Sequence, residues 1–194
     1  DEGTTKVALA NLGFPTENTW QQLVTQKQSV RYKNLSNHAQ TLFDNIIPLL
    51  LEATSKTTNP ALALNRFLEF LETISRRTAY LALLCEHPET LTPLSDIFSA
   101  SHWVSTYLMR HPILLDELLN ARILTEKPDW PALANQLQVQ LNNSPDNDAE
   151  IKMDILRHFQ HAQVFRLAIQ DLANAWSVES LSDQLSFLAD TTIE

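Results

Sequence analysis

The chain has 194 residues, 44% of them hydrophobic, and 14 Lys and Arg against 23 Asp and Glu leave a net charge of −9. That much apolar sequence can bury a sizeable core. With so few basic residues, none in a run longer than two, the chain lacks the surface that neutralises nucleic-acid or anionic-lipid phosphates. The single cysteine, Cys85, excludes an internal disulfide and reads as a small buried hydrophobe in a reducing compartment. No secretory signal and no long uncharged apolar run is present, so a soluble, cytoplasmic protein is expected.

Only Gly3 and Gly13 occur, and the phosphate-cradling loops of nucleotide enzymes need glycine for close backbone approach. A P-loop or dinucleotide fingerprint is therefore absent. The chain starts without methionine and stops at "LADTTIE" with no helix-stop signal, which suggests a piece of something longer.

In chain order, residues 1–15 read as a polar lead-in and 16–194 as a single helical domain, with a possible subdivision at the 142–148 loop. "TENTWQQLVTQKQ" predicts a short helix. "SNHAQTLFDNIIPLLLEATSK" predicts a longer one opened by Ser36, with Pro48 as a kink. Asn59 caps and Pro60 opens a helix expected over about 60 to 86, with Leu64, Phe67, Leu71, Ile74, Thr78 and Cys85 on one face. Asn65, Arg66, Glu69, Glu72, Arg76 and Arg77 hold the other face.

"LCEHPETLTPL" at 84–94 and "LMRHPILLDEL" at 108–118 share the pattern L-x-x-H-P-x-x-L-x-x-L, offset by 24 residues. The residue before proline is pushed out of the helical region and proline then starts the next helix, so each copy predicts a sharp corner. Between them "SASHWVSTYLMR" predicts one helix capped by Ser101, with Trp103, Val104, Tyr107 and Leu108 as its buried side. "DWPALANQLQVQL" predicts a helix capped near Asp129 and running to about 142, followed by the "NNSPDND" loop.

"EIKMDILRHFQHAQVFRLAIQDL" then predicts a helix over about 148 to 175, and Ser177 opens a last one with Leu181, Leu185 and Leu188 on one face. On the long helix Ile151, Ile155, Phe159, Ala162, Phe165, Ile169 and Leu172 form one apolar face, and Met153, Leu156, Val164 and Leu167 lie opposite. Such a helix is normally sandwiched between layers. The fold class expected is all-α: a multi-helix bundle of short antiparallel helices around one long helix in the C-terminal half, with no sheet.

Arg166 falls in the apolar arc, where an unpaired charge is expensive, so a carboxylate or helix C-terminal carbonyls should meet it as a buried structural charge. His158 and His161 stand three residues apart without a third ligand nearby, and Asp154 one turn before His158 makes a surface pair instead. Asp146 and Asp148 form a D-x-D in a Pro- and Asn-rich loop with no strand beneath it, which reads as solvated loop rather than a metal site. Arg157, His158 and His161 are the candidate interface with a neighbouring domain.

The blocks "NRFLEFLETISRRTAYLALLCEHPETL", "SASHWVSTYLMRHPILLDELL" and "EIKMDILRHFQHAQVFRLAIQDLANAWSVESLSDQLSFLAD", in that order, resemble the bifunctional glutamine synthetase adenylyltransferase/adenylyl-removing enzymes. The resemblance implies two nucleotidyltransferase domains joined by helical segments, with AMP moved to and from a glutamine synthetase tyrosine in the control of nitrogen assimilation. It also implies ATP and Mg²⁺ for the full-length enzyme, and glutamine synthetase, the PII signal protein and glutamine as partners.

The family's catalytic domains carry Gly-Ser followed by Asp-x-Asp on a sheet, where the aspartates hold two Mg²⁺ ions. This chain has no Gly-Ser, and its D-x-D does not match. The expectation is therefore a non-catalytic central linker or regulatory domain before the C-terminal nucleotidyltransferase domain, without cofactor or active site of its own. A passive spacer between catalytic domains and a free-standing helical interaction adaptor are the alternatives.

Overall fold

Helix starts follow the capping chemistry of the sequence. Ser36 Oγ accepts from Ala39 N (3.2 Å), Asn59 Oδ1 from Leu62 N (3.3 Å), Ser101 Oγ from Val104 N (3.2 Å) and Asp129 Oδ1 from Ala132 N (3.1 Å). Each satisfies an amide that the first helical turn would leave without an acceptor. The computed structural model describes residues 2–119, 126–145 and 148–193, and among these there is helix and no strand.

The helices are α1 (Glu2–Asn11), α2 (Thr16–Gln28), α3 (Val30–Lys33), α4 (Asn37–Ser55), α5 (Pro60–Ile74), α6 (Thr78–Glu86), α7 (Leu91–Ala100) and α8 (His102–Arg110). They continue with α9 (Leu115–Leu118), α10 (Trp130–Asn143), α11 (Ala149–Leu172) and α12 (Val178–Ile193). The chain forms two compact units that part between Pro112 and Ile113, rather than within the 142–148 loop.

In the first unit α4 packs on α5, α6 and α7, and α5 packs on α7 and α8. Its centre is a triangle of fully buried rings. Phe67, Phe70 and Phe98 meet edge-on with centroids 5.0 to 6.1 Å apart, the arrangement that the ring quadrupole favours. Arg66 reaches over from α5 and donates through Nη1 to the Phe98 carbonyl (2.6 Å), satisfying an acceptor in the last turn of α7.

Both His-Pro corners form as expected. His87 (φ −121°, ψ 62°) and His111 (φ −127°, ψ 65°) leave the helical region, and Pro88 and Pro112 each open a short 3₁₀ turn that runs into the next helix.

Four expectations need correction here. The lead-in is the helix α1, held by Lys6 bridging Glu2 (2.9 Å) and Glu17 (2.7 Å) and by burial of Leu9. It ends at Gly13 (φ 80°), where Phe14 N donates to Leu9 O and Gly13 N to Ala10 O, a left-handed C-terminal cap. The helix expected over 60 to 86 is two, because the chain turns at Ser75–Arg77. There Ser75 Oγ donates to the Glu72 carbonyl (2.8 Å) and Arg77 takes φ −107°, ψ 88°. That turn resets the register, so α6 buries Leu81 and Leu84 and leaves Thr78 and Cys85 half-buried.

Trp103, expected inside, is 54% exposed and stacks on Tyr107 at 4.9 Å, while Val104, Ser105 and Leu108 form the buried side of α8. The long helix stops at Leu172, and Asn174 (φ 57°) takes the left-handed position beyond it, with Ala175 N donating to Gln170 O and Asn174 N to Asp171 O.

Pro48 lies within α4, which continues through it; the exposed proline offers no amide to the Asp44 carbonyl. Burial, with the charge of Glu86 beside it, pushes the Cys85 thiol up, so it stays protonated at neutral pH. No described helix is long and apolar enough to cross a membrane.

Candidate functional site

In the second unit α10, α11 and α12 pack against one another. Asp148 starts α11 by accepting from Ile151 N (3.1 Å), so half of the D-x-D is a helix cap; Asp146 lies outside the described residues. The N-terminal part of α11 is not sandwiched, since Ile151 is 40% and Met153 48% exposed. Burial sets in at Ala162 and continues through Gln163, Phe165, Leu167, Ile169 and Gln170. Two glutamines thus occupy core positions, and each needs a hydrogen-bonding partner to offset its desolvation.

Arg166 is half-buried. Its Nη2 donates to the Glu126 backbone carbonyl (2.9 Å), and Gln170 Nε2 donates to the same oxygen (2.7 Å). The acceptor is therefore a backbone carbonyl of the segment preceding α10 rather than a carboxylate. Burial lowers the Arg166 pKa, and the charges of Glu117 and Glu126 push it back up.

The candidate interface residues are placed separately. Arg157 is exposed and donates to Asp154 (2.9 Å), so the acid pairs three residues on rather than with His158. His158 is exposed at the mouth of a cavity, and His161 is half-buried.

That cavity, of about 260 Å³, lies between α9, α10 and α11. Leu137 and Ala162 are its buried apolar lining, with Leu133 and Phe159 half-buried beside them. Gln136, Gln140 and His158 are exposed at its rim, and Glu117, Gln163 and Arg166 complete it. Two of its polar atoms are buried without a hydrogen-bond partner: Gln163 Oε1, on a side chain only 7% exposed, and Arg166 Nε. An unmet donor and an unmet acceptor one helical turn apart, both on residues lining one cavity, make it the candidate site.

Sequence reasoning singled out Arg166 as a structural charge and His158 as an interface residue, and did not single out Glu117, Gln136, Gln140 or Gln163. The available signal was polar spacing: Gln163 in an otherwise apolar arc, three residues before Arg166, and Gln136 and Gln140 four apart on α10.

A larger cavity of about 490 Å³ lies in the first unit between α1, α2 and α4. It is lined largely by apolar side chains including Trp20, Leu23, Val24 and Phe43, and its charged Lys27 and Asp44 already pair at 3.0 Å. Among the described residues no group of three His, Cys, Asp or Glu is placed to hold a metal ion.

Comparison with known proteins agrees with the resemblance seen in the three sequence blocks. The family model of glutamate-ammonia ligase adenylyltransferase matches residues 91–194. A bifunctional glutamine synthetase adenylyltransferase/adenylyl-removing enzyme of Neisseria meningitidis serogroup A is 52% identical over 185 residues, covering 95% of this chain and 20% of that protein. The enzymes of the same name from N. meningitidis serogroup B and Chromobacterium violaceum are 50% and 49% identical, covering 100% and 99% of this chain and 21% and 22% of their own lengths.

The chain thus spans about a fifth of the length of these relatives. Because the adenylyltransferase model itself begins at Leu91, the expectation of a non-catalytic linker or regulatory segment preceding that domain is overturned. The expectation that this stretch lacks an active site falls with it. Both rested on the absence of a glycine-rich loop, of Gly-Ser and of a matching Asp-x-Asp, whereas the groups of an active site are gathered from several elements and need not share a stretch of sequence. The chain belongs to the glutamate-ammonia ligase adenylyltransferase family.

Proposed function

We propose that this chain works within an enzyme that moves AMP to and from a tyrosine of glutamine synthetase, in the control of nitrogen assimilation. The observation that supports the reading is the 52% identity over 95% of the chain to a bifunctional adenylyltransferase/adenylyl-removing enzyme. Glutamine synthetase is the protein substrate, PII and glutamine are the effectors, and the cytoplasm is where all of them meet. ATP supplies the adenylyl group and Mg²⁺ the charge neutralisation that nucleotidyl transfer requires. On α11, Arg157, His158 and His161 are the flank that meets a neighbouring domain.

The test uses the protein expressed from the complete reading frame, with purified glutamine synthetase, Mg²⁺ and ATP labelled on its α-phosphate. Label should pass to glutamine synthetase, and the transfer should respond to glutamine and to PII. No transfer by a folded enzyme would overturn the reading. Arg157→Glu combined with His161→Glu should leave the basal rate intact and weaken the effector response; an unchanged response removes these residues from the interface.

A further inference from the structure

The larger cavity, of about 490 Å³, lies within the first unit between α1, α2 and α4. Phe43 and Leu51 are buried in its wall, and Trp20, Leu23, Val24 and Ile47 are half-buried around it. Among the described residues lining it only Lys27 and Asp44 are charged, and both are already engaged: Lys27 Nζ donates to one Asp44 carboxylate oxygen (3.0 Å) and the Tyr32 hydroxyl to the other (3.0 Å). A ligand with a net charge would lose its hydration here without a free counter-charge.

One wall of the cavity breaks a rule of helix chemistry. Pro48 sits in the interior of α4 with no N–H to give the Asp44 carbonyl four residues before it, and both residues line the cavity. An interior proline costs a helix one hydrogen bond, and departures of this kind concentrate at functional sites. The wall thus holds a backbone acceptor whose usual donor is missing. We propose that this cavity binds a neutral, flat aromatic molecule carrying one hydrogen-bond donor, of the size and shape of indole: its rings lie among Trp20, Leu23, Phe43 and Ile47, and its N–H donates to the Asp44 carbonyl.

The volume falls in the roughly 300–1,000 Å³ range of small-molecule sites, which are mostly apolar with a few placed polar groups. Aromatic walls favour a flat ring, met edge-on or offset, over a flexible chain that loses rotamer freedom on entry. A phosphate or carboxylate would have to break the Lys27–Asp44 pair to find a counter-charge, and a purely apolar molecule would leave the acceptor unmet. The inference goes beyond AMP transfer and does not need it. Binding is read directly on the chain, so it and the proposed function can fail separately.

The experiment is isothermal titration calorimetry of the 194-residue chain with indole, benzofuran and indole-3-carboxylate. Indole should bind with a Kd below about 1 mM. Benzofuran has the same fused rings without the N–H and should bind about threefold to tenfold more weakly; indole-3-carboxylate, which carries a charge in, should bind at least about tenfold more weakly. Pro48→Ala supplies the missing amide to the Asp44 carbonyl, so the chain should stay folded and the preference for indole over benzofuran should vanish.

Val24→Trp fills the space from α2 and should abolish binding in a chain still helical by circular dichroism. Should that variant fail to fold, Pro48→Ala decides, because it leaves the apolar lining intact. The assignment is overturned if the folded chain binds no indole at about 10 mM. Equal binding of benzofuran or indole-3-carboxylate, a preference for indole that survives Pro48→Ala, or undiminished binding by folded Val24→Trp overturns it as well. So does binding by this chain that is lost in the enzyme expressed from the complete reading frame, which would make the cavity the seat of another part of that enzyme.

Discussion

Truncating Phe98 tests the core of the first unit where the geometry is most explicit. Its ring is fully buried, 5.0 Å from Phe67 and 5.5 Å from Phe70, with interplanar angles of 71° and 70°. Phe98→Ala removes both edge-on contacts and leaves a cavity, but keeps the backbone carbonyl that accepts from Arg66. Phe→Ala in a core costs about 3–5 kcal/mol, a figure that already includes about 0.5–1.5 kcal/mol for each aromatic pair.

Trp103→Ala is the internal control: the residue is larger, but 54% exposed and stacked on Tyr107 alone, so its loss should cost under about 1 kcal/mol. In urea denaturation followed by far-ultraviolet circular dichroism, a slope of about 2 kcal/mol per molar turns 4 kcal/mol into a midpoint lower by roughly 2 M for Phe98→Ala. Trp103→Ala should move it by less than about 0.5 M. If the two variants shift the midpoint equally, burial and ring geometry are not what hold the first unit together.

The two left-handed helix ends should answer substitution in opposite directions. Gly13→Ala, at φ 80°, should lower the melting temperature through a cost of about 1 kcal/mol, although nothing crowds the added Cβ; Asn174→Gly, at φ 57°, should raise it through a gain of up to about 1 kcal/mol. Tyr32 supplies the pH test. Burial, then its hydrogen bond to Asp44 (3.0 Å) and that carboxylate's charge, raise its pKa from 10.0 to about 12. A folded-state pKa above the unfolded one means that the stabilisation is full below pH 10.0 and is lost as pH rises toward about 12. The stability gap between the parent and Tyr32→Phe should therefore be flat up to about pH 9 and close above pH 10, and a gap that widens with alkali would contradict the pairing.

Most helix starts were legible because their determinants are local. Ser36, Asn59, Ser101 and Asp129 each sit within three residues of the amide that they cap, and the two His-Pro corners need only the steric conflict between proline and its predecessor. Helix ends were less legible. Ser75–Arg77 carries no glycine or proline, and only the packing of α6 on α4 selects a turn there over continued helix. Asn174 takes a role usually given to glycine, so the end of α11 had no strong marker.

In the candidate site, Arg166 was visible as a charge in an apolar arc, but its acceptor was not. The Glu126 carbonyl lies 40 residues away in sequence, and any backbone oxygen can serve, so the pairing leaves no residue signature. For the same reason Glu117 and Gln163 could not be linked to it.

What the amino-acid order determined by itself is the helical class, the caps and corners, and the family, because each rests on short-range sterics, local hydrogen bonds or long matched blocks. Tertiary structure alone decided that Trp103 lies outside, that the units part at Pro112, and that Glu117, Gln163 and Arg166 enclose one cavity. Those outcomes depend on which faces of separate helices are brought together. That choice is set by packing over the whole unit, where no single residue carries the information.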